Sequence, residues 1–548
     1  MFQMRKPFGF APPGTSMPDP IHIEGMNYTY AFNNLRIDLE WHKNNQQEWR
    51  QILEAIKLIP GRRYTASTKK WSVPNTKEMR EWLRASGWNV PEPEVVERPA
   101  PPYNPERVLP GLYPYQEDFL KFSLVRPRLA LFDEQGTGKT VQALAWLRYH
   151  GLLPALIVVT SSTKTQWAAN YKSWLGRDDI EVLSGERPCE LEPGKSYVIN
   201  WDILYKWERS PLKHNLYVQG FKALIGDEVQ AIGNRTSQRT RAFMRLAARI
   251  PCLLAMSGTP ARSRPVQLWP TLHCIDAQTF PDFYAYANRY CNPKETPYGT
   301  KYEGITNAPE LHALLSTRTL RRTKAEVMSF LPPKIITTVP CSVDKGKMAE
   351  YKEQARKVKE ATEFERAAAI AELFQSAYNL KADARKQWIM DFLSTDEKLL
   401  VFAWHHAVVN DIANYLAEKD IGVRVLTGTT SSAQREKIKD AFINDPDVRV
   451  IVANIQSAGV GIDGLQKACS NCCFVEFTAA PTDHWQAEDR LHRGGQEVPV
   501  NVYYLVAPRT IDVSMAYQLD SKAVALASVL DGSDAGVVKI SNMIKNSK

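Results

Sequence analysis

The 548-residue sequence predicts an α/β protein of two tandem lobes, each a parallel sheet wrapped by helices, behind a small α+β segment. Three observations predict it. Short apolar runs recur at helix-sized intervals from 111 to about 330, and again from about 398. Residues that carry chemistry fall just past the ends of those runs, where open parallel sheets bind ligands. Finally, residues 91–110 hold seven prolines, an extended linker that sets the front segment apart.

In chain order, residues 1–20 lack periodicity and read as a flexible tail. Residues 21–90 form the front domain, with strands in the alternating Tyr28–Trp41 stretch and helices over Asn44–Lys57 and Thr76–Ala85. Between those helices, Arg62, Arg63, Lys69 and Lys70 alternate with Tyr64 and Trp71. Such residues supply cations for phosphates and flat faces for unstacked bases. A small hairpin filling its own core accounts for Trp71 equally well; for the four basic residues the reading is DNA contact. After the 91–110 linker come a first lobe, 111–335, a helical connection, 336–397, and a second lobe, 398–548, ending in helices. Within the connection, 346–392 is dense in Lys, Glu and Ala and reads as a solvated helical spacer.

Length alone implies about three or four domains. Composition is that of a globular protein, 44% hydrophobic and 24% charged. A net charge of +9, from 69 basic against 60 acidic residues, permits a nucleic-acid partner without requiring one. Eight cysteines without paired spacing do not make a disulfide framework. Cys469, Cys472 and Cys473 lead into an apolar strand and read as small buried hydrophobes rather than metal ligands. With no long apolar run and no signal-peptide core, the expectation is an intracellular, soluble protein with no membrane contact.

The first lobe opens on Phe132-Asp133-Glu134-Gln135-Gly136-Thr137-Gly138-Lys139-Thr140, between an apolar strand and a helix. Gly136 and Gly138 let backbone N–H groups of the loop, Thr137 included, turn around an anion at a helix N-terminus. Lys139 is then placed for β- and γ-phosphates, and the Thr140 hydroxyl for Mg²⁺. The strict phosphate-loop pattern has glycine where this chain has Asp133. About ninety residues on, the run Ala223–Ile225 ends in Asp227-Glu228. Asp227 suits a Mg²⁺ anchor, and Glu228 an orienter of the attacking water. Ser257-Gly258-Thr259-Pro260 follows another strand, and its hydroxyls suit either a link between nucleotide and DNA or a plain turn.

In the second lobe, Gln456-Ser457-Ala458-Gly459-Val460-Gly461-Ile462-Asp463 follows a strand, and Gln486 to Gln496 comes later. Arg490 and Arg493 are three apart and share a helix face. Presented across a cleft to a γ-phosphate, such guanidiniums are worth roughly 10³ to 10⁵ in rate. A salt-bridged surface helix is the alternative, with Glu488 and Asp489 adjacent.

These stretches, in this order, resemble the SNF2 group of superfamily 2 helicase-like ATPases over roughly 110–530. The resemblance implies two tandem RecA-like lobes, ATP and Mg²⁺ as cofactors, and DNA as partner. Tyr115-Gln116 is similar to the family's adenine-reading glutamine motif. Asp133 to Gln142 is similar to motif I, and Val158 to Trp174, with Lys164, to motif Ia. Asn200-Trp201-Asp202 is similar to the next DNA-contacting motif. Asp227 to Gln230 is similar to motif II, and Ser257 to Ala261 to motif III. Leu320 to Lys324, with Leu331 to Lys334, resembles the lobe-joining signature. Phe402 to His405, Gly428 with Arg435, Ser457 to Leu465, and Gln486 to Gln496 resemble motifs IV, IVa, V and VI. It thereby implies DNA contact at Lys164, Asn200, Ser257, Thr259 and Ser457, and nucleotide contact at Gln116, Gly461 and Asp463. The chain departs from the pattern at Gln230 (His is usual), Thr160 (proline) and Asp463 (Asn).

Motif VI, with Phe474-Val475-Glu476-Phe477 before it, resembles the annealing-helicase branch, and Gly61 to Pro74 is similar to the HARP-type substrate-recognition module. The expected activity is DNA-dependent ATP hydrolysis driving a monomeric translocase on duplex or branched DNA. Rewinding, fork regression or branch migration in replication, repair or recombination is the expected outcome. A single-strand-binding or replication protein is a possible recruiting partner. The alternatives are a remodeler that strips protein from DNA and a strand-separating helicase.

Overall fold

The computed structural model describes residues 26–31, 34–39, 63–65 and 70–74, and helical positions at 54, 56–57, 81 and 83–85. From 101 to 546 it describes all but 298, 363–364, 459–462, 479 and 536. Two compact units result: 1–100 with 276–282, and 101–275 with 283–548.

In the front unit, strands β1 (Met26–Ala31), β2 (Asn34–Leu39), β3 (Arg63–Thr65) and β4 (Lys70–Pro74) form an antiparallel sheet in the order β1-β2-β4-β3. Within the Gly61–Pro74 stretch, β3 and β4 pair antiparallel, with Tyr64 opposite Trp71 and Thr65 opposite Lys70. Helical Ile56 and Leu83 are fully buried. Arg62 and Lys69 lie outside the described residues, as do the side chains of Arg63, Lys70 and Trp71.

The large unit holds two parallel sheets. The first comprises β5 (Arg128–Leu131), β6 (Ala155–Val159), β7 (Ile180–Val182), β8 (Ser196–Asn200), β9 (Ala223–Asp227), β10 (Cys252–Met256) and, after the short hairpin β11 (Pro293–Thr296) and β12 (Gly299–Tyr302), β13 (Thr319–Leu320). Their order is β13-β5-β10-β9-β6-β8-β7, with every neighbouring pair parallel. Alternate residues feed two cores. Leu129, Leu131 and Ile157 meet the helices Lys139–His150 and Lys164–Leu175, while Ala130, Leu156 and Leu224 meet Gln238–Ala247 on the other face. Burial on both faces is why these strands read as unbroken apolar runs.

The second sheet comprises β14 (Lys334–Pro340), β15 (Leu399–Ala403), β16 (Gly422–Leu426), β17 (Val448–Asn454), β18 (Asn471–Phe474) and β19 (Val500–Val506), in the order β14-β19-β18-β15-β17-β16, again all parallel. Cys469, Cys472 and Cys473 are buried in its cores. The region expected to be a solvated spacer differs. Helices Arg366–Leu380 and Ala382–Leu393 bury Leu373, Ala377, Ile389 and Leu393, the last two against β15 and β17. Buried charges on them are paired, Lys381 with Asp512 at 2.6 Å and Arg385 with Asp411 at 3.0 Å. Their charge density hides an apolar face, so they are part of the second lobe.

Two segments tie the lobes together. Arg321 and Arg322 pass behind the phosphate loop on the way to β14. The 20-residue helix Ile511–Leu530 buries Met515, Ala516 and Leu519 in the second lobe and Leu530 in the first. Among the described residues, no helix is long and apolar enough to cross a membrane.

Candidate active site

β5 runs into the phosphate loop, where Gly136 and Gly138 take φ of +85° and +77°. Residues with a side chain rarely adopt such angles, and neighbours crowd both positions. A Cβ on Gly138 would lie 2.6 Å from Gln116 Nε2, and one on Gly136 3.3 Å from the Cβ of Arg493, a residue of the other lobe. The loop is shored from behind. Thr137 O accepts from Tyr115 OH at 2.9 Å and from Gln116 Nε2 at 3.3 Å, and Thr137 Oγ1 donates to Glu134 O at 2.9 Å. Gln116 is itself buried, its Oε1 taking the Tyr113 N–H. The structure thus places Gln116 and Thr137 as buttresses of the loop rather than on the cavity wall.

Asp133, where the pattern has glycine, is fully buried and pairs with Arg322 through both carboxylate oxygens. Arg322 also reaches Gln142 Oε1 at 2.9 Å, and Arg321 Nη1 donates to Phe132 O at 2.8 Å and Gly258 O at 3.0 Å. The carboxylate therefore clamps the loop to the lobe-joining segment.

A cavity of about 340 Å³ opens between the lobes. From the first lobe Lys139, Thr140, Thr160, Thr163, Asp227, Glu228 and Gln230 line it; from the second, Asp463, Gln486, Asp489, Arg490 and Arg493. Lys139 Nζ donates to Asp133 O at 2.8 Å and Glu134 O at 2.9 Å. Burial lowers its pKa, with Glu228, Asp133 and Asp227 pulling the other way. Asp227 sits at the end of β9; burial first and Glu228 second raise its carboxyl to about 7. Its Oδ2 accepts from Trp167 Nε1 at 2.8 Å and its Oδ1 from Glu228 N at 3.1 Å. Glu228 follows with a left-handed φ of 55°, a strained conformation for a residue with a side chain.

Glu228 Oε2 accepts from Gln230 Nε2 at 2.8 Å, Gln230 Oε1 accepts from Ser257 Oγ at 2.7 Å, and Ser257 Oγ accepts from Thr259 N at 2.9 Å. Gln486 of the second lobe closes the chain, its Nε2 donating to Thr259 Oγ1 at 2.8 Å. Gln230 fills the place of the usual histidine with a side chain that both donates and accepts. Ser257 and Thr259 are buried within this chain, which runs from one lobe to the other.

Arg490 and Arg493 do not sit on an outer face. Both donate to Asp463 Oδ1, Arg490 at 2.9 Å and Arg493 at 2.5 Å. Burial raises the Asp463 pKa, but Arg493 and Arg490 outweigh it and hold the carboxyl low. Lys324 braces the same corner, pairing with Asp489 at 2.6 Å while its backbone N–H donates to Glu134 Oε2 at 2.8 Å.

Among the other expected contacts, Lys164 Nζ is engaged internally with Leu183 O at 2.9 Å and Ser184 Oγ at 3.0 Å. Asn200, at the end of β8, is buried. Gly461 and the Ser457 side chain fall outside the described residues.

The donor set suits a polyphosphate with a divalent cation. Lys139, Arg490 and Arg493 supply positive charge, Thr140 and Asp227 hard oxygen ligands. The cradle is close: a Cβ on Gly258 would come within 2.6 Å of Gln135 Cγ and 3.4 Å of Lys139 Nζ.

Comparison with known proteins agrees with this geometry. The SNF2-related domain matches residues 115–393, just over half of the chain, and the helicase conserved C-terminal domain matches 384–495. The DNA annealing helicase and endonuclease ZRANB3 of Mus musculus is 31% identical over 445 residues, 78% of this chain and 41% of that protein. The SWI/SNF-related matrix-associated actin-dependent regulator of chromatin subfamily A-like protein 1 of Xenopus laevis is 29% identical over 502 residues, 84% of this chain and 51% of that protein. The chain thus spans about half or less of the length of these relatives. Among solved structures, the Sulfolobus solfataricus SWI2/SNF2 ATPase core in complex with dsDNA aligns over 78% of this chain and 95% of that one, at 21% identity and a TM-score of 0.37. On the match over 115–393, the chain belongs to the SNF2-related family.

Proposed function

We propose that the chain is an ATP-driven translocase on duplex or branched DNA that rewinds or remodels it, in replication, repair or recombination. One observation carries the reading. Lys139, Asp227 and Glu228 face Arg490 and Arg493 across a single cavity, each lobe bringing charges the other lacks. Lys139 binds the β- and γ-phosphates once it leaves the Asp133 and Glu134 carbonyls. Thr140 and Asp227 hold Mg²⁺, which supplies neutralisation of phosphate charge. Glu228 orients the attacking water, and Arg490 and Arg493 stabilise charge developing on the transferred phosphoryl group. Closing and opening of the lobes then ratchets DNA, with phosphate contacts on both halves.

Similarity to the DNA annealing helicase and endonuclease ZRANB3 supports an annealing activity, and the paired strands that carry Arg63, Lys70 and Trp71 support substrate choice by the front domain, with Arg62 and Lys69 proposed to take part. The motor is proposed to act as a monomer, with a single-strand-binding or replication protein as recruiting partner, in whichever compartment holds the DNA. ATP turnover measured on single-stranded, duplex, forked and four-way DNA tests the reading, together with rewinding of a bubble held open by single-strand-binding protein. Several-fold stimulation by duplex or forks, and rewinding, are expected; strand displacement without rewinding would instead identify a strand-separating helicase. Fork regression that survives removal of residues 1–100 unchanged would remove the front domain from the mechanism. Eviction of bound protein without either DNA outcome would identify a remodeler.

A further inference from the structure

Asp227 is gripped by two indoles. Trp167 Nε1 donates to its Oδ2 at 2.8 Å, and Trp201 Nε1 donates to its backbone carbonyl at 2.8 Å. Both rings are 2% exposed, so water does not compete for either N–H. A buried tryptophan differs from phenylalanine chiefly in needing a partner for that N–H. Trp201 packs on Phe243 at 5.1 Å and fixes the main chain at the end of β9. Trp167 acts on the carboxylate itself.

The torsion that turns a carboxylate is broad and nearly two-fold, so an unheld Asp227 would present its oxygens in many orientations. Trp167 on Oδ2 and the Glu228 N–H on Oδ1 hold the carboxylate in one orientation while Asp227 lines the cavity, each oxygen keeping a further lone pair for a cation. The segment that carries the indole is also part of the cavity wall. Thr160 and Thr163 line it, joined Oγ1 to Oγ1 at 2.9 Å, and helix Lys164–Leu175 follows directly.

We propose that Trp167 is the positioning residue for the cation-holding carboxylate, and that segment 160–167 sets through it the affinity of the site for a divalent cation with nucleotide. This rests on the nucleotide-site reading above. Partners of this kind, one bond behind a metal ligand, typically change metal affinity by about 10- to 100-fold when removed. A shift of the segment then reaches Asp227 through a single hydrogen bond.

The test uses the full chain, with Mn²⁺ as a spectroscopic probe titrated in the presence of ADP, and a fluorescent ADP analogue titrated without metal. Trp167→Phe is expected to weaken Mn²⁺ binding by about 10- to 100-fold, leaving metal-free nucleotide binding and the melting temperature close to the parent's. If Trp167→Phe melts early, β-(3-benzothienyl)alanine at 167 makes the same deletion, because sulfur replaces the indole N–H within the same outline. Mn²⁺ binding within twofold of the parent, in whichever form folds, overturns the proposal. A parent that binds no Mn²⁺ with nucleotide overturns the nucleotide-site reading, and this inference with it.

Discussion

Arg262 and Asp483 belong to different lobes and pair through both ends of the guanidinium fork, Nε to Oδ1 at 3.0 Å and Nη2 to Oδ2 at 2.8 Å. Thr482 Oγ1 donates to Arg262 O at 2.9 Å beside them, and Gln486, on the same helix Pro481–Glu488, reaches Thr259. One face of this helix is therefore latched to the turn after β10. Because Arg262 is part-exposed, the pair is worth about 1 kcal/mol, which corresponds to a factor of about five in the ratio of closed to open states. Arg262→Ala and Asp483→Ala should each lower DNA-stimulated kcat by about that factor, and the exchanged pair Arg262→Asp with Asp483→Arg should recover it. Steady-state ATPase on the parent, the two single variants and the exchanged pair checks this; an exchanged pair no faster than the single variants would mean that the two side chains do not act through each other.

Lys139→Ala and Glu228→Gln remove the phosphate contact and the water-orienting carboxylate. Both should abolish DNA-stimulated turnover, and Arg490→Ala or Arg493→Ala should lower it by about 10³-fold or more. A phosphate-release assay at saturating DNA measures this. Near-normal rates in any of the four would remove that residue from the chemistry.

A single oxygen, Asp463 Oδ1, holds both Arg490 and Arg493, so the guanidiniums are partly neutralised before any phosphate arrives. Asp463→Asn keeps the shape and removes the charge. DNA-independent turnover should rise several-fold and the ATP KM should fall, since a like charge leaves the phosphate site. Turnover measured without DNA decides it, and a drop would assign the carboxylate a positive part in catalysis.

His484 is buried against Phe474 and Tyr504, with ring centroids at 4.7 and 5.7 Å, and accepts the Thr478 N–H at 3.0 Å. Burial lowers its pKa to about 4, with Asp483 opposing. The unfolded chain, near 6.5, takes up a proton as pH falls while the folded chain does not. Stability from this group is complete above pH 6.5 and is lost between 6.5 and 4, at up to about 1.4 kcal/mol per unit. Denaturant melts of the parent and His484→Phe across that window should converge as the pH falls. Parallel profiles would mean that the ring titrates normally.

Much of this arrangement was legible in the sequence for a physical reason. Parallel strands covered on both faces, such as Leu156–Val159 and Val450–Ala453, must be apolar throughout, so each announces itself. The glycines of the phosphate loop and the acids ending β9 are legible because their chemistry constrains residue type at short range. What stayed hidden depends on distant partners. Asp133 departs from the expected glycine because Arg322, far along the chain, needs a carboxylate. The Trp167 ring meets Asp227 only after the sheet assembles. Ser257 and Thr259 meet Gln230 and Gln486, far away in sequence, only once the chain has folded. Helices Arg366–Leu380 and Ala382–Leu393 disguise a packed face under paired charges.

Helix Ile511–Leu530 has a consequence for how far the cleft can gape. Its early turns are anchored beside β19 and its last residue, Leu530, is seated in the core of the opposite half, with Val529 O bound to His312 Nδ1 at 3.0 Å and Asp531 to Arg321 at 2.7 Å. Free separation would extract Leu530 into water, at about 1.5–3 kcal/mol, besides breaking those polar ties. A stiff rod pinned at both ends leaves rotation about its own length as the cheap motion, so movement of one lobe against the other is expected to be a small swivel.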